Sequence, residues 1–165
     1  MVELERRMFP EEVYKEELEN YKKFMAEDWR KEGSEPWSAL RANSTLAARR
    51  GRCKRVMDTY EHQENDRTLA TGVHAVRIGD AAFVSNRFEL FMDYMHRIQA
   101  RSPFVQTFIV QLTADNGMMG GSYLATERAV ANKGYSASPY CNQVSPTGGQ
   151  QLVDDTVEML KKLYE

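Results

Sequence analysis

VHAVRIGDAAFVSNRFELFMDYMHRIQARSPFVQTFIVQL, residues 73–112, is the stretch whose reading decides the fold. It opens with two short apolar runs, residues 73–78 and 81–85, separated by Gly79 and Asp80. A glycine at the first of two turn positions is hairpin chemistry. His74, Val76 and Ile78 fall on one face of the first strand. The second run, Ala81-Ala82-Phe83-Val84, is small and apolar throughout, which predicts burial on both faces. Asn86 followed three residues later by Glu89 has the spacing of a capping box. Phe88, Phe91, Met92, Met95 and Ile98 then recur at helical intervals, so a helix is predicted from Asn86 to about Arg101, where Pro103 stops it. Phe104, Phe108, Val110 and Leu112 mark a third strand, interior or nearly so. Strand, turn, strand, helix and strand predict an α/β unit over residues 72–165.

Downstream, Asp115-Asn116-Gly117 supplies turn chemistry. A glycine-rich segment follows, with Gly117, Gly120 and Gly121 before Tyr123, and it contains neither G-x-G-x-x-G nor the phosphate-loop pattern. Thr126-Glu127-Arg128 begins a helical turn, and residues 136–146 form a loop. Ser145 or Thr147 caps a last helix whose apolar face carries Leu152, Val153, Thr156, Val157, Leu160, Leu163 and Tyr164.

Upstream, residues 2–9 alternate loosely and fit a charged edge strand. Pro10-Glu11-Glu12 opens a helix with Pro early and acids at the positive end of its dipole. Tyr14, Leu18, Tyr21, Met25 and Trp29 give it one apolar stripe, and Gly33 ends it. A second helical stretch spans residues 37–60, interrupted by Gly51, so it is two helices or one kinked helix. The pair predicts a helical hairpin over residues 10–60, closed by a short Gly-Ser turn. Residues 61–71 are polar and aperiodic, a linker loop. Within the hairpin, Arg49, Arg50 and Arg52 stand in a basic cluster with Lys54 and Arg55. Its functional reading is an anion-binding patch. The plainer one is a solvated helix face that pairs with the acidic first helix.

The expected fold class is therefore α/β: a small mixed sheet packed against helices, with an N-terminal helical hairpin, in a single domain of 165 residues. A formal net charge of -2 argues against a dedicated nucleic-acid binder. No apolar run approaches membrane-spanning length. No signal peptide is visible at the N-terminus, so a cytoplasmic location is expected. Two cysteines, Cys53 and Cys141, are too few for a disulfide scaffold.

The order of motifs resembles a known pattern. V-x-A-V-R-I-G-D-A-A-F-V is followed by Glu89-Leu90-Phe91, a helix ending at Ser102-Pro103-Phe104, a strand, Asn116-Gly117, then Tyr123-Leu124-x-Thr126-Glu127 and Gly134-Tyr135. It resembles the C-terminal part of the catalytic domain of neutral/alkaline non-lysosomal ceramidases and their bacterial relatives. Those enzymes hydrolyse the amide of ceramide with one zinc ion. The resemblance is clearest over residues 73–163 and weaker over residues 2–60. It implies that Glu89, at the family's Pro-Gly-Glu position, and Tyr123, three residues before Thr126, are zinc ligands. Here Arg87 and Phe88 replace the family's Pro and Gly, and the loop before Tyr123 is about two residues longer. The resemblance places two zinc histidines far upstream, and His62, His74 and His96 do not match them. It therefore implies an isolated C-terminal portion, inactive on its own, that needs a missing N-terminal half or forms a homo-oligomer. Without the resemblance, Glu89 is a capping acid and Tyr123 an ordinary half-buried tyrosine. The alternative function is a non-catalytic interaction or anion-binding module.

Overall fold

The computed structural model describes residues 1–30, 36–113 and 122–165. In chain order the elements are β1 (Val2–Glu5), α1 (Glu11–Ala26), α2 (Pro36–His62), β2 (Thr68–Thr71), β3 (His74–Ile78), β4 (Ala81–Ser85), β5 (Glu89–Leu90), α3 (Met92–Arg101), β6 (Gln106–Val110), β7 (Tyr123–Leu124), α4 (Glu127–Ala131), a 3-10 turn (Tyr135–Ala137) and α5 (Pro146–Tyr164). They form two compact units, Met8–Asn65 and the remainder, Met1–Arg7 with Asp66–Glu165. The fold class is α/β, with small mixed sheets packed against helices and an N-terminal helical pair.

In the helical unit α1 and α2 run antiparallel. Tyr14 packs on Tyr60 with ring centroids 4.9 Å apart, while Arg50, earlier on α2, reaches the end of α1. Helix α1 stops at Ala26, before Trp29 can join its stripe; the expected stop at Gly33 and the Gly-Ser turn lie outside the described residues. Helix α2 passes through Gly51 without interruption. A glycine in a helix interior costs about 1 kcal/mol, which a helix of this length absorbs. Gln63 closes the unit by accepting from Phe9 N (2.8 Å) and donating to Phe9 O (3.0 Å).

Among the described residues, the larger unit holds three small sheets. β1 and β2 are antiparallel, with Leu4 opposite Leu69. Residues 61–71 are thus not one loop: α2 continues to His62, and Thr68–Thr71 is a strand. Nor is β1 an open edge. Its far side is closed by a bridge between Arg6 and Val144 and by Ser145 N donating to Glu5 O (3.0 Å). β3, β4 and β6 form a mixed sheet, with β4 antiparallel to β3 and parallel to β6. Gly79 turns the β3–β4 hairpin at φ 59°, a conformation that favours glycine.

Two burial expectations are corrected here. β6 stands at the end of the strand order, not inside it. β4 is buried on one face only: Ala82 and Val84 point into the core, whereas Phe83 is exposed. The core lies between the inner sheet face, α3 and α5, and includes Val84, Phe88, Tyr94, Ile98, Leu152 and Leu160. Each fully buried aliphatic contributes about 1.5–3 kcal/mol relative to exposure. Ser145 caps α5 by accepting from Gly148 N (2.9 Å), with Pro146 in the first turn. No helix among the described residues is long and apolar enough to cross a membrane.

Candidate functional site

The segment after β4 does not become a helix at Asn86. The Asn86 amide oxygen accepts from Phe88 N (3.0 Å), an Asx turn. Its backbone is held by Val110 O (3.0 Å) and Thr113 N (3.1 Å). The capping box is therefore not formed: Asn86 is occupied two residues on, and Glu89 lies in β5, three residues before α3 begins. The first turn of α3 has Phe91 as N-cap and no side-chain cap.

β5 is short, and distant residues fix it. It pairs in parallel with β7, with Glu89 opposite Tyr123 and Leu90 opposite Leu124. Glu89 N donates to Ser122 O (3.2 Å), Phe91 N to Leu124 O (3.2 Å), and Leu90 N to the Gln111 side chain (2.7 Å). On the other side of β7, Tyr123 N donates to Cys141 O (3.0 Å), and the Asn142 amide donates to Tyr123 O (2.8 Å). Registered residues of parallel strands project to the same face. Glu89 and Tyr123, both half-buried, accordingly meet: the phenol is hydrogen-bonded to the Glu89 carboxylate. That bond, then desolvation and the carboxylate's charge, raise the Tyr123 pKa above its ordinary value. The phenol is protonated at neutral pH and donates to the carboxylate.

An aromatic wall continues from this pair. Tyr135 stands edge-on to Tyr123 (6.0 Å, 79°) and to Tyr140 (6.2 Å, 74°). Thr126, placed just after β7, caps α4 by accepting from Ala129 N (3.4 Å). Sequence reasoning missed Gln111 and Asn142, the amides that hold β5 and β7. They act 21 and 19 residues away from their partners, so no local pattern announces them.

The other candidate residues are placed elsewhere. His62, His74 and His96 are exposed and lie on α2, β3 and α3. The glycine-rich segment before Tyr123 lies outside the described residues, as does the Asp115-Asn116-Gly117 turn. Among the described residues no group of three or more His, Cys, Asp or Glu side chains could hold a metal ion. Glu89 and Tyr123 therefore offer two oxygen donors, half of a tetrahedral zinc set, and would need nitrogen or sulfur partners beside them.

The arginines of the basic cluster make different contacts. Arg50 turns toward the end of α1, donating to the carbonyls of Phe24 (2.9 Å) and Glu27 (2.8 Å), with its guanidinium 4.4 Å from the Trp29 ring centre. Arg49 lies over Phe24 at 5.5 Å. Arg52 is exposed. Compared with protein-family models, curated proteins and solved structures, the chain finds no match.

Proposed function

We propose that Glu89 and Tyr123 are the carboxylate and phenol half of a zinc-dependent amidohydrolase centre of the neutral-ceramidase kind, and that this chain is the C-terminal portion of such an enzyme. The observation that carries the reading is their registration across β5 and β7. Two oxygen donors 34 positions apart in the sequence share one hydrogen bond at the place where strand ends and a helix start converge. The chemistry that zinc supplies in such sites is Lewis-acid activation of water for attack on the amide.

The chain's own residues prepare the place. Gln111 and Asn142 fix the two strand backbones, so neither side chain must be ordered when a cation arrives. The Tyr123 phenol keeps its proton and points it at the Glu89 carboxylate; for the phenol to serve as a ligand, that proton would have to pass to water. Tyr135 shields the pair on one side. The histidines that would complete the donor set come from outside this sequence, in another chain or in preceding sequence, so this chain alone is inactive. The substrate need not be ceramide, because a fold and two ligands do not fix an acyl group.

The test supplies the missing half. Zinc is measured in the dialysed chain alone and in its complex with a histidine-bearing N-terminal half of the family's catalytic domain. The expectation is substoichiometric zinc alone, zinc and amide hydrolysis in the complex, and loss of both in Glu89→Gln. Hydrolysis undiminished by Glu89→Gln would sink the reading. One tightly held zinc on the chain alone would point instead to a site using His62, His74 or His96.

A second reading, a non-catalytic interaction module, is favoured by one observation. The outer face of the β3–β4–β6 sheet is apolar and exposed, with Val76, Ile78, Phe83, Phe108 and Val110 turned outward.

A further inference from the structure

The helical unit carries a cleft that the hydrolase reading does not use. It has a volume of about 510 Å³ and is lined by the segment after α1 and the first half of α2. Trp37, Arg41, Thr45 and Arg49 lie along one ridge of α2 at steps of four residues and line it together. Arg30 faces them from the other wall. That wall is pinned to α2. The Asn43 side chain accepts from Arg30 N (2.8 Å) and donates to Arg30 O (2.9 Å), while Arg50 holds the carbonyls of Phe24 and Glu27.

Among the described residues, three guanidinium groups thus share one concavity with one carboxylate, Glu27. Among the described residues none of the three forms an ion pair. Guanidinium forks bind phosphate bidentately and remain charged at any physiological pH. At the rim, the Trp37 indole is 77% exposed, a large flat apolar surface beside the cationic cleft. Leu46, buried, closes the floor. The volume falls within the range of small-molecule sites.

We infer that this cleft binds a small phosphomonoester carrying a flat apolar group, the phosphate held by Arg30, Arg41 and Arg49 and the apolar group stacked on Trp37. The inference does not rest on the proposed zinc chemistry, since no cleft residue belongs to the Glu89 site. The anion patch expected from Arg49, Arg50 and Arg52 is thereby redrawn. Only Arg49 remains in it, because Arg50 is committed to the end of α1.

Phenyl phosphate is the probe, titrated calorimetrically into the full chain at low salt, with phenol and inorganic phosphate as comparisons. Trp29→Phe leaves Trp37 as the sole tryptophan, and its emission reports where binding occurs. Saturable binding is expected, weakened about tenfold or more by Arg41→Gln and by Arg49→Gln but not by Lys54→Gln. Inorganic phosphate should bind more weakly, and phenol not measurably. Circular dichroism checks that the variants fold, since the replaced arginines are exposed. No saturable binding below roughly 10 mM would overturn the inference. So would equal affinities for Arg41→Gln and Lys54→Gln, or binding that leaves Trp37 emission unchanged.

Discussion

Gly149 shows how a single residue fixes where α5 lies. A Cβ added there would overlap the ring of Tyr94, and one added at Gly148 would overlap the backbone of Glu5. The two glycines therefore let α5 approach α3 and β1 closely, and Tyr94 uses the space to donate to Ala125 O (3.0 Å), beside β7. Burial pushes the Tyr94 phenol up to about 12, so it stays protonated and keeps that bond at neutral pH. Gly51 is the contrast: nothing lies near its missing side chain, and it sits within α2. Opposite outcomes follow for one substitution. Gly149→Ala should destabilise by about 1–3 kcal/mol through overpacking, whereas Gly51→Ala should stabilise by up to about 1 kcal/mol through helix propensity. Urea denaturation of both variants checks the pair. A tolerated Gly149→Ala would mean that Tyr94 does not pack where it is described.

At the scale of elements, α5 and the β3–β4 hairpin were legible because each carries its own signals. α5 has a serine cap, a proline in its first turn and an apolar stripe, and the hairpin has a glycine at the one positive-φ turn position. The start of α3 was not legible. Asn86 and Glu89 have cap spacing, but long-range bonds to Val110, Thr113 and Gln111 outcompete a local helix, and β7 pairs with what remains. β2 escaped notice because Thr68–Thr71 is four residues long, and only its partner β1 makes it a strand. For the candidate site, the residue types at 89 and 123 were readable from motif order. Their shared hydrogen bond was not, since it depends on a register set by Gln111 and Asn142. The capping serine yields a test at this scale. Ser145 accepts from Gly148 N and donates to Glu5 Oε1 (2.5 Å), tying the start of α5 to the end of β1. Ser145→Ala should therefore cost about 1–2 kcal/mol, at or above the usual loss of a cap. Glu5→Gln, which keeps an acceptor, should cost less. Equal stability of Ser145→Ala and the parent in thermal melts would remove the cap from the account.

For the molecule as a whole, the outer face of the β3–β4–β6 sheet sets the expected assembly. The registers place three rows across it: His74, Ser85 and Val110; Val76, Phe83 and Phe108; Ile78, Ala81 and Gln106. Phe83 and Phe108 stack at 4.7 Å in the middle row. Val76 is 55% and Ile78 65% exposed, and Leu112, just past β6, is exposed as well. Soluble monomers rarely leave a contiguous apolar patch of more than a few hundred Å² uncovered. These rows contain no carboxylate, lysine or arginine, so two copies can stack face to face without bringing like charges together. Sheets packed that way bury alternate side chains from both partners at a spacing of about 10 Å. We therefore expect the chain to self-associate through this face when no other partner covers it. Phe108→Lys would place a charge opposite its own copy in a symmetric pair and leave the inward-facing neighbours Thr107, buried, and Ile109, partly buried, in place. Light scattering across a concentration series should show the parent chain moving from monomer to dimer and Phe108→Lys remaining monomeric. Lys133→Glu, outside the sheet, should leave the dimer unchanged. A parent chain that stays monomeric throughout the series, or a Phe108→Lys dimer of undiminished affinity, would rule out this face as the site of self-association.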